Sequence, residues 1–424
     1  MNQFRQIKSA GPCLIDDSAL AGSIGVRDAE AVEPIMLTQD ALSTLQFDTR
    51  MALEVLSIAE QALVDSRPLR DRLFGDHASR WIIEANLNYA SETIGRFDAL
   101  QDMNGAYRFI EYNSGLCGGG FAADEIASGI SIDALRAMSG GHAQWRYEKC
   151  GALFVEAIEA ATVARTGTAR PTLGVIIPDG ERGDALLADP EILLLLTMYA
   201  EMVGPAHVVR LSDLRSDGRR LRGVEGPIHA ALVGDWLTTI AACARNHPIW
   251  ECDQLPGTWM CNALGASIYR GGKQMFALLS DERYGLPFTG LQREWIKAHI
   301  PSTRMLDVAM VDDADALVRN REQLVIKTCF ASGGYGVVPG WATSEGDWIR
   351  ALDHGRTDIA IVQERITPRA RRGRARGGSE GSNDICPFVW RGKTLGGMIS
   401  RFSASALHNI SAGSGLPVPV FIQS

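Results

Sequence analysis

The 424-residue chain predicts a mixed α/β protein of two or three domains, and three observations predict it. Strands at 173–177, 206–211 and 229–233 alternate with helices at 152–164 and 190–203, the pattern of an open, largely parallel sheet. Asn104-Gly105, flanked by two runs of strand character, signals a β-hairpin. From about residue 265 the pattern turns to glycine-punctuated strands and helices. These shifts divide the chain into 1–150, 151–264 and 265–424.

Bulk properties narrow the function. A composition of 46% hydrophobic and 22% charged residues is that of an ordinary globular protein. The formal charge of -8 argues against a nucleic-acid binder working through a general basic surface. Eight scattered cysteines with no CxxC pair fit neither a disulfide scaffold nor a zinc ribbon, so reduced thiols and a cytoplasmic protein are expected. The first residues lack the apolar core of a secretory signal, and the apolar run at 192–198 is too short to span a bilayer. HExxH is absent, which removes the commonest hydrolytic zinc motif.

The elements follow in order. Residues 37–95 carry Leu, Ile and Ala at helical spacing. Next comes the hairpin. With Asn104-Gly105 as a two-residue turn, Met103 faces Ala106, Asp98 faces Glu111 and Arg96 faces Asn113. Those last four side chains share a face, because i and i+2 on a strand project alike. Phe97 with Tyr112 and Ala99 with Ile110 make the opposite, apolar face.

Like charges directly opposite on a sheet are unfavourable. Two carboxylates about 5 Å apart repel by roughly 3 kcal/mol at an effective dielectric near 20. A cation is needed between Asp98 and Glu111. Arg96 supplies part of it, and two carboxylates with an amide oxygen also make a cradle for Mg²⁺, which shares its shell with substrate phosphates. A surface hairpin with a cross-strand Arg–carboxylate pair fits the same pattern.

A glycine run, Gly115-Leu116-Cys117-Gly118-Gly119-Gly120, then leads into helical sequence at 121–138. Lys273 opens a helix, either in solvent or on a phosphate. Strand 322–330 holds Lys327 among apolar residues, where an ammonium needs a partner. Ser332, Gly333, Gly334, Tyr335 and Gly336 form a loop whose backbone N–H groups can approach phosphate oxygens. It is neither a Walker A loop nor GxGxxG, since Pro339 takes the last glycine position. Strand 359–366 carries Gln363-Glu364, a pair able to hydrogen-bond an adenine edge or ribose hydroxyls. Residues 368–384 read as a flexible basic loop, and Arg401 precedes Asn409 and a glycine turn at 413–415.

Together these motifs resemble the ATP-grasp superfamily with the order changed. The Asp…Glu-x-Asn hairpin comes first and the lysine strand, glycine loop, Gln-Glu strand and Arg…Asn segment follow. That order is similar to the circularly permuted ATP-grasp proteins, such as the synthetase domain of glutathionylspermidine synthase. The resemblance implies a permuted ATP-grasp core from 1–150 and 265–424, with 151–264 as a Rossmann-like preceding α/β domain. It assigns Asp98, Glu111 and Asn113 to Mg²⁺ and Arg96 to the transferring phosphoryl group. Lys273 and Lys327 would contact ATP phosphates, Ser332, Gly333, Gly334 and Gly336 would form a lid, and Gln363 and Glu364 would face adenosine. Arg401 would hold a phosphate or acyl phosphate. The implied activity is an ATP-dependent carboxylate–amine ligase making an amide through an acyl phosphate on an amino-acid-like or peptide substrate. Its partners would be a small carboxylate and an amine, with no nucleic acid or membrane, and a homodimer as a possible assembly. On this reading Asp98→Asn relieves repulsion and barely affects folding.

Two other classes stay open. Gly115-Leu116-Cys117-Gly118-Gly119 fits G-x-C-x-G between a strand and a helix, the setting of a nucleophile elbow. Cys117 would then be an acyl-transfer nucleophile, with His142, His207, His229 or His247 as its base. A nucleotide-binding scaffold without catalysis is the third reading.

Overall fold

The computed structural model describes residues 33–82, 94–138, 144–234, 243, 246–262, 264–331, 334–355, 358–372, 380–390, 393–408 and 415–424. The chain opens with β1 (Ile35–Leu37), helices Gln39–Asp65 and Arg67–Ile82, the hairpin β2 (Gly95–Gln101) and β3 (Tyr107–Ser114), helices Gly120–Ser128 and Ile132–Met138, and β4 (Trp145–Tyr147). The middle region runs through helix Cys150–Thr166, β5 (Leu173–Ile177), helices Glu181–Leu187 and Pro190–Met202, and β6 (Ala206–Arg210). A small ribbon, β7 (Arg215–Ser216), β8 (Leu221–Gly223) and β9 (Gly226–Ile228), precedes β10 (Ala230–Val233) and β11 (Trp259–Met260). The last region holds helices Leu264–Gly271, Gln274–Ser280 and Gly290–His299, then β12 (Thr303–Met305) and helix Leu306–Arg319. It ends with β13 (Leu324–Thr328), β14 (Val337–Pro339), helix Glu345–His354, β15 (Ala360–Glu364), β16 (Ala370–Arg372), β17 (Glu380–Trp390), β18 (Lys393–Ser403) and β19 (Leu416–Gln423).

Three sheets carry the architecture. The largest orders its strands β1-β19-β18-β17-β2-β3, so the early hairpin is woven onto strands from the end of the chain. The middle sheet, β11-β10-β5-β6, is parallel throughout, as the strand–helix alternation predicts. The third, β12-β15-β13-β14, is antiparallel. Most expected helices and strands recur with ends shifted by a residue or two, but the helical stretches 37–95 and 121–138 each hold two helices, with 83–93 outside the described residues, and the basic segment does not stay a loop. Residues 370–372 and 380–384 are strand, while 373–379 lie outside the described residues.

The hairpin is present and its turn differs from expectation. The turn is a three-residue loop, Met103-Asn104-Gly105, closed by Asp102 N donating to Ala106 O at 2.9 Å. Gly105 supplies the positive φ of 89°, which a side chain would oppose. This slips the register by one, and Ala99 faces Phe109 instead of Ile110. A bulge between Asp98 and Ala99 restores the predicted pairs Asp98–Glu111, Phe97–Tyr112 and Arg96–Asn113. Ile110 is the extra residue.

The apolar face of the hairpin positions the polar one. Phe97 packs on Tyr112 and Phe109 with ring centroids 4.7 and 5.3 Å apart. Helix Gln39–Asp65, started by a Thr38 cap, covers them with Leu45, Leu56 and Leu63. Asn262 pins the strand ends: its Oδ1 accepts from Ile94 N (2.6 Å), and its Nδ2 donates to Ile94 O (2.5 Å) and Ser114 Oγ (2.7 Å). It does so at φ 61°, an unusual conformation for a residue other than glycine. Asn262→Ala should cost about 2 kcal/mol, because it strands the buried Ile94 N–H. Urea unfolding checks this, and a loss below about 1 kcal/mol would show that the hairpin does not depend on the clamp.

Candidate functional site

The polar face of the hairpin opens into a cleft of about 1200 Å³ lined by Arg96, Asp98, Glu111, Asn113, Lys273, Lys327, Gln363 and Arg401 among others. Residues far apart in sequence meet here because the hairpin lies between β17 and the third sheet. Gly334, at positive φ, and Glu364 line the same cleft. The expected glycine loop is the tip of the β13–β14 hairpin. Gly336 lies beside it, also at positive φ, whereas Ser332 and Gly333 lie outside the described residues.

Asp98 is buried and held from two sides. Arg96 Nε donates to Oδ1 at 2.8 Å and Nη2 to Oδ2 at 3.2 Å, the i, i+2 spacing placing both on one face. Arg401 reaches across β17 to donate from Nη2 to Asp98 Oδ2 at 2.8 Å, while its Nε donates to Asp384 Oδ2 at 2.7 Å. Arg96 also donates to Gly118 O at 2.5 Å, fixing the glycine turn. Burial works against the Asp98 carboxylate, but Arg401 and Arg96 outweigh it and hold its pKa well below the usual range.

Glu111 has its own cation. Lys273 Nζ lies 3.0 Å from Glu111 Oε1 and donates to Ala331 O at 2.5 Å, tying the hairpin to the start of the glycine loop. Lys327 donates to Ile110 O at 3.1 Å and to Gln363 Oε1 at 2.7 Å. Burial lowers the Lys327 ammonium pKa to about 8, with Glu111 opposing and Lys273 adding to the shift. Beside the hairpin, four cations (Arg96, Arg401, Lys273, Lys327) meet three carboxylates (Asp98, Glu111, Asp384), a local excess of positive charge that suits an anionic group at this end of the cleft.

The demand for a cation between the facing carboxylates is met by the protein itself, which changes the part given to Asp98. Its two oxygens are committed to guanidinium groups, so a divalent ion bound there would sit against fixed positive charge. Among the described residues no group of three His, Cys, Asp or Glu could hold a metal. Glu111 and Asn113 remain as oxygen donors beside the cleft, and Asn113 Nδ2 is buried without a hydrogen-bond partner, a donor suited to a ligand oxygen.

Cys117 sits on the expected strand-to-helix turn without the features of a nucleophile. Its thiol donates to Asn113 O and Gly115 O, both at 3.3 Å, and burial pushes its pKa up to about 12. His207 pairs with Glu225, His229 accepts from Thr172 N, and His247 lies on Leu211 O, all in the middle region. His142 lies outside the described residues.

Sequence reasoning missed Asp384, Thr303 and Glu191. Asp384 fell in the supposed basic loop, although a lone acid followed by Ile385 to Trp390 is a strand signal. Glu191 accepts from Phe121 N (3.3 Å) and Ala122 N (2.9 Å) at the start of helix Gly120–Ser128, and burial raises its pKa to about 7. No local pattern announces such a contact across 70 residues.

No protein-family model and no curated protein matches the chain. Among solved structures it is similar to a glutathione synthetase-like effector from Globodera pallida in its apo form. The two are 11% identical over 98% of each chain, with a TM-score of 0.54. The chain shares the α/β fold of that structure. Two further solved structures lie at greater distance. A putative gamma-glutamylcysteine synthetase from Methylobacillus flagellatus is 14% identical over 86% of each chain, with a TM-score of 0.44. A D-alanyl-alanine synthetase A from Vibrio cholerae is 11% identical over 59% of this chain and 74% of that one, with a TM-score of 0.31. No described helix is long and apolar enough to cross a membrane.

The ion pairs reverse the folding expectation for Asp98. Asp98→Asn should destabilise the protein by about 3 kcal/mol at pH 7, because it leaves two buried guanidinium groups short of a counter-charge. A depressed carboxylate pKa contributes stability above its unfolded value, near 4, and that contribution is lost as pH falls through the folded value. The gap between wild type and variant should therefore narrow below about pH 4. Denaturation midpoints across pH check this, and identical midpoints at pH 7 would restore simple carboxylate repulsion.

Proposed function

We propose that the chain is an ATP-dependent carboxylate–amine ligase of the circularly permuted ATP-grasp kind, forming an amide through an acyl phosphate. The observation that carries this is the convergence of Lys273 and Lys327, from the glycine-loop side, on Glu111 of the early hairpin within one cleft. A nucleotide's triphosphate fits there, with its base beside Val325, Val337, Trp341 and Ile366, which line the same cleft. In this reading residues 1–150 and 265–424 build the core and 151–264 the preceding domain.

The chain's residues act by position and charge. Lys273 and Lys327 bind phosphate oxygens, and Arg96 and Arg401, aligned by Asp98 and Asp384, face charge on the phosphoryl group in flight. Glu111 and Asn113 would hold Mg²⁺, which would supply Lewis-acid neutralisation of phosphate charge. A substrate carboxylate oxygen attacks the γ-phosphorus and ADP leaves; the amine nitrogen then displaces inorganic phosphate and loses its proton. The acceptor has room at the ends of β5 and β10, where the parallel sheet opens toward the cleft beside Arg182 and Gly234. The substrates fit a small amino-acid-like or peptide acid and an amine.

The test is to incubate the protein with ATP, Mg²⁺ and pooled carboxylates plus hydroxylamine. ADP and a hydroxamate should appear together by mass spectrometry. Lys327→Met should lower ADP release by about 100-fold or more, and Cys117→Ser should retain most of it. Nucleotide binding without ADP release across the panel would favour a non-catalytic scaffold instead.

A further inference from the structure

We infer that Gln363 is a positioning residue for Lys327, not a contact for the adenine base, and that the Ile110 bulge supplies the second anchor. The inference rests on the nucleotide reading of the cleft and corrects the part first given to Gln363.

The strand register places Gln363 at the centre of the third sheet, opposite Thr303 on β12 and Val325 on β13. Lys327 lies two residues beyond Val325 and shares its face. The hydrogen bonds run one way. Thr303 Oγ1 donates its single hydrogen to Pro301 O at 2.7 Å, so toward Gln363 it can only accept. Gln363 Nε2 donates to it at 3.0 Å, which turns Oε1 toward Lys327, and Lys327 Nζ donates to Oε1 at 2.7 Å. Gln363 lines the cleft but is 1% exposed, and its Oε1 and Nε2 are both engaged within the sheet, which directs its polar end to Lys327 and away from a base.

The second anchor comes from the hairpin. Ile110, the extra residue of the bulge, presents its carbonyl to Lys327 at 3.1 Å. Two of the three ammonium hydrogens are thereby fixed, one by each sheet. The third is left for the cleft, so the ammonium is aimed before any ligand arrives. The bulge that returns Glu111 to its place opposite Asp98 also aims the lysine beside it.

Calorimetric binding of ATP and of inorganic tripolyphosphate tests this. Gln363→Leu should weaken both ligands by a similar factor of about ten or more, the worth of a charged hydrogen bond. Thr303→Val should weaken both less, and the double variant should be no worse than Gln363→Leu. Loss of ATP affinity with tripolyphosphate unchanged would place Gln363 on the base, and unchanged affinity for both would remove any role; either overturns the inference. If the wild type binds neither ligand, the nucleotide reading fails. The positioning claim is then decided by mass-spectrometric acylation rates of Lys327 against exposed Lys297. A several-fold change in Gln363→Leu supports it, and an unchanged rate overturns it.

Discussion

Two acidic side chains, Asp98 and Glu111, face one another across neighbouring strands at the edge of a buried cleft, and the site is arranged around that repulsion. Neither carboxylate is tolerable there alone. Each draws its own compensation: two guanidinium groups on Asp98, a lysine on Glu111. Because those cations come from β2, β18 and the helix begun at Lys273, neutralising one hairpin assembles groups from both ends of the chain. The same constraint leaves a local excess of positive charge beside the hairpin, and an anionic group can use it.

The hairpin also shows how local errors can cancel. The sequence signal Asn104-Gly105 is real, yet Gly105 alone takes the left-handed position and the loop gains a residue. The bulge at Ile110 absorbs the slip before the functional pairs are reached. A turn signal cannot report a compensating bulge five residues away, since the bulge answers to packing of Phe109 beneath it and to Lys327 beside it.

What was legible in the sequence follows from what is local. The parallel sheet of the middle region, the helix behind the hairpin and the strand bearing Lys327 all rest on apolar periodicity, which nearest neighbours set. The convergence of Lys273, Lys327, Arg96 and Arg401 in one cleft was legible only through the order of motifs. Asp384 and Thr303 were not legible, because their roles come from register across β17–β18 and β12–β15. Asp98 was assigned to a metal from its place opposite Glu111 and from the resemblance. Only the distance to Arg401, 303 positions along the chain, shows it committed to guanidinium groups.

The most direct measurement is a crystal structure with a non-hydrolysable ATP analogue and Mn²⁺, using the metal's anomalous signal to locate it. The triphosphate is expected between Lys273 and Lys327, and a metal peak on Glu111 and Asn113 with Asp98 still bound to Arg96 and Arg401. A nucleotide seated away from those lysines, or a metal peak on Asp98 with its arginines displaced, would contradict that arrangement.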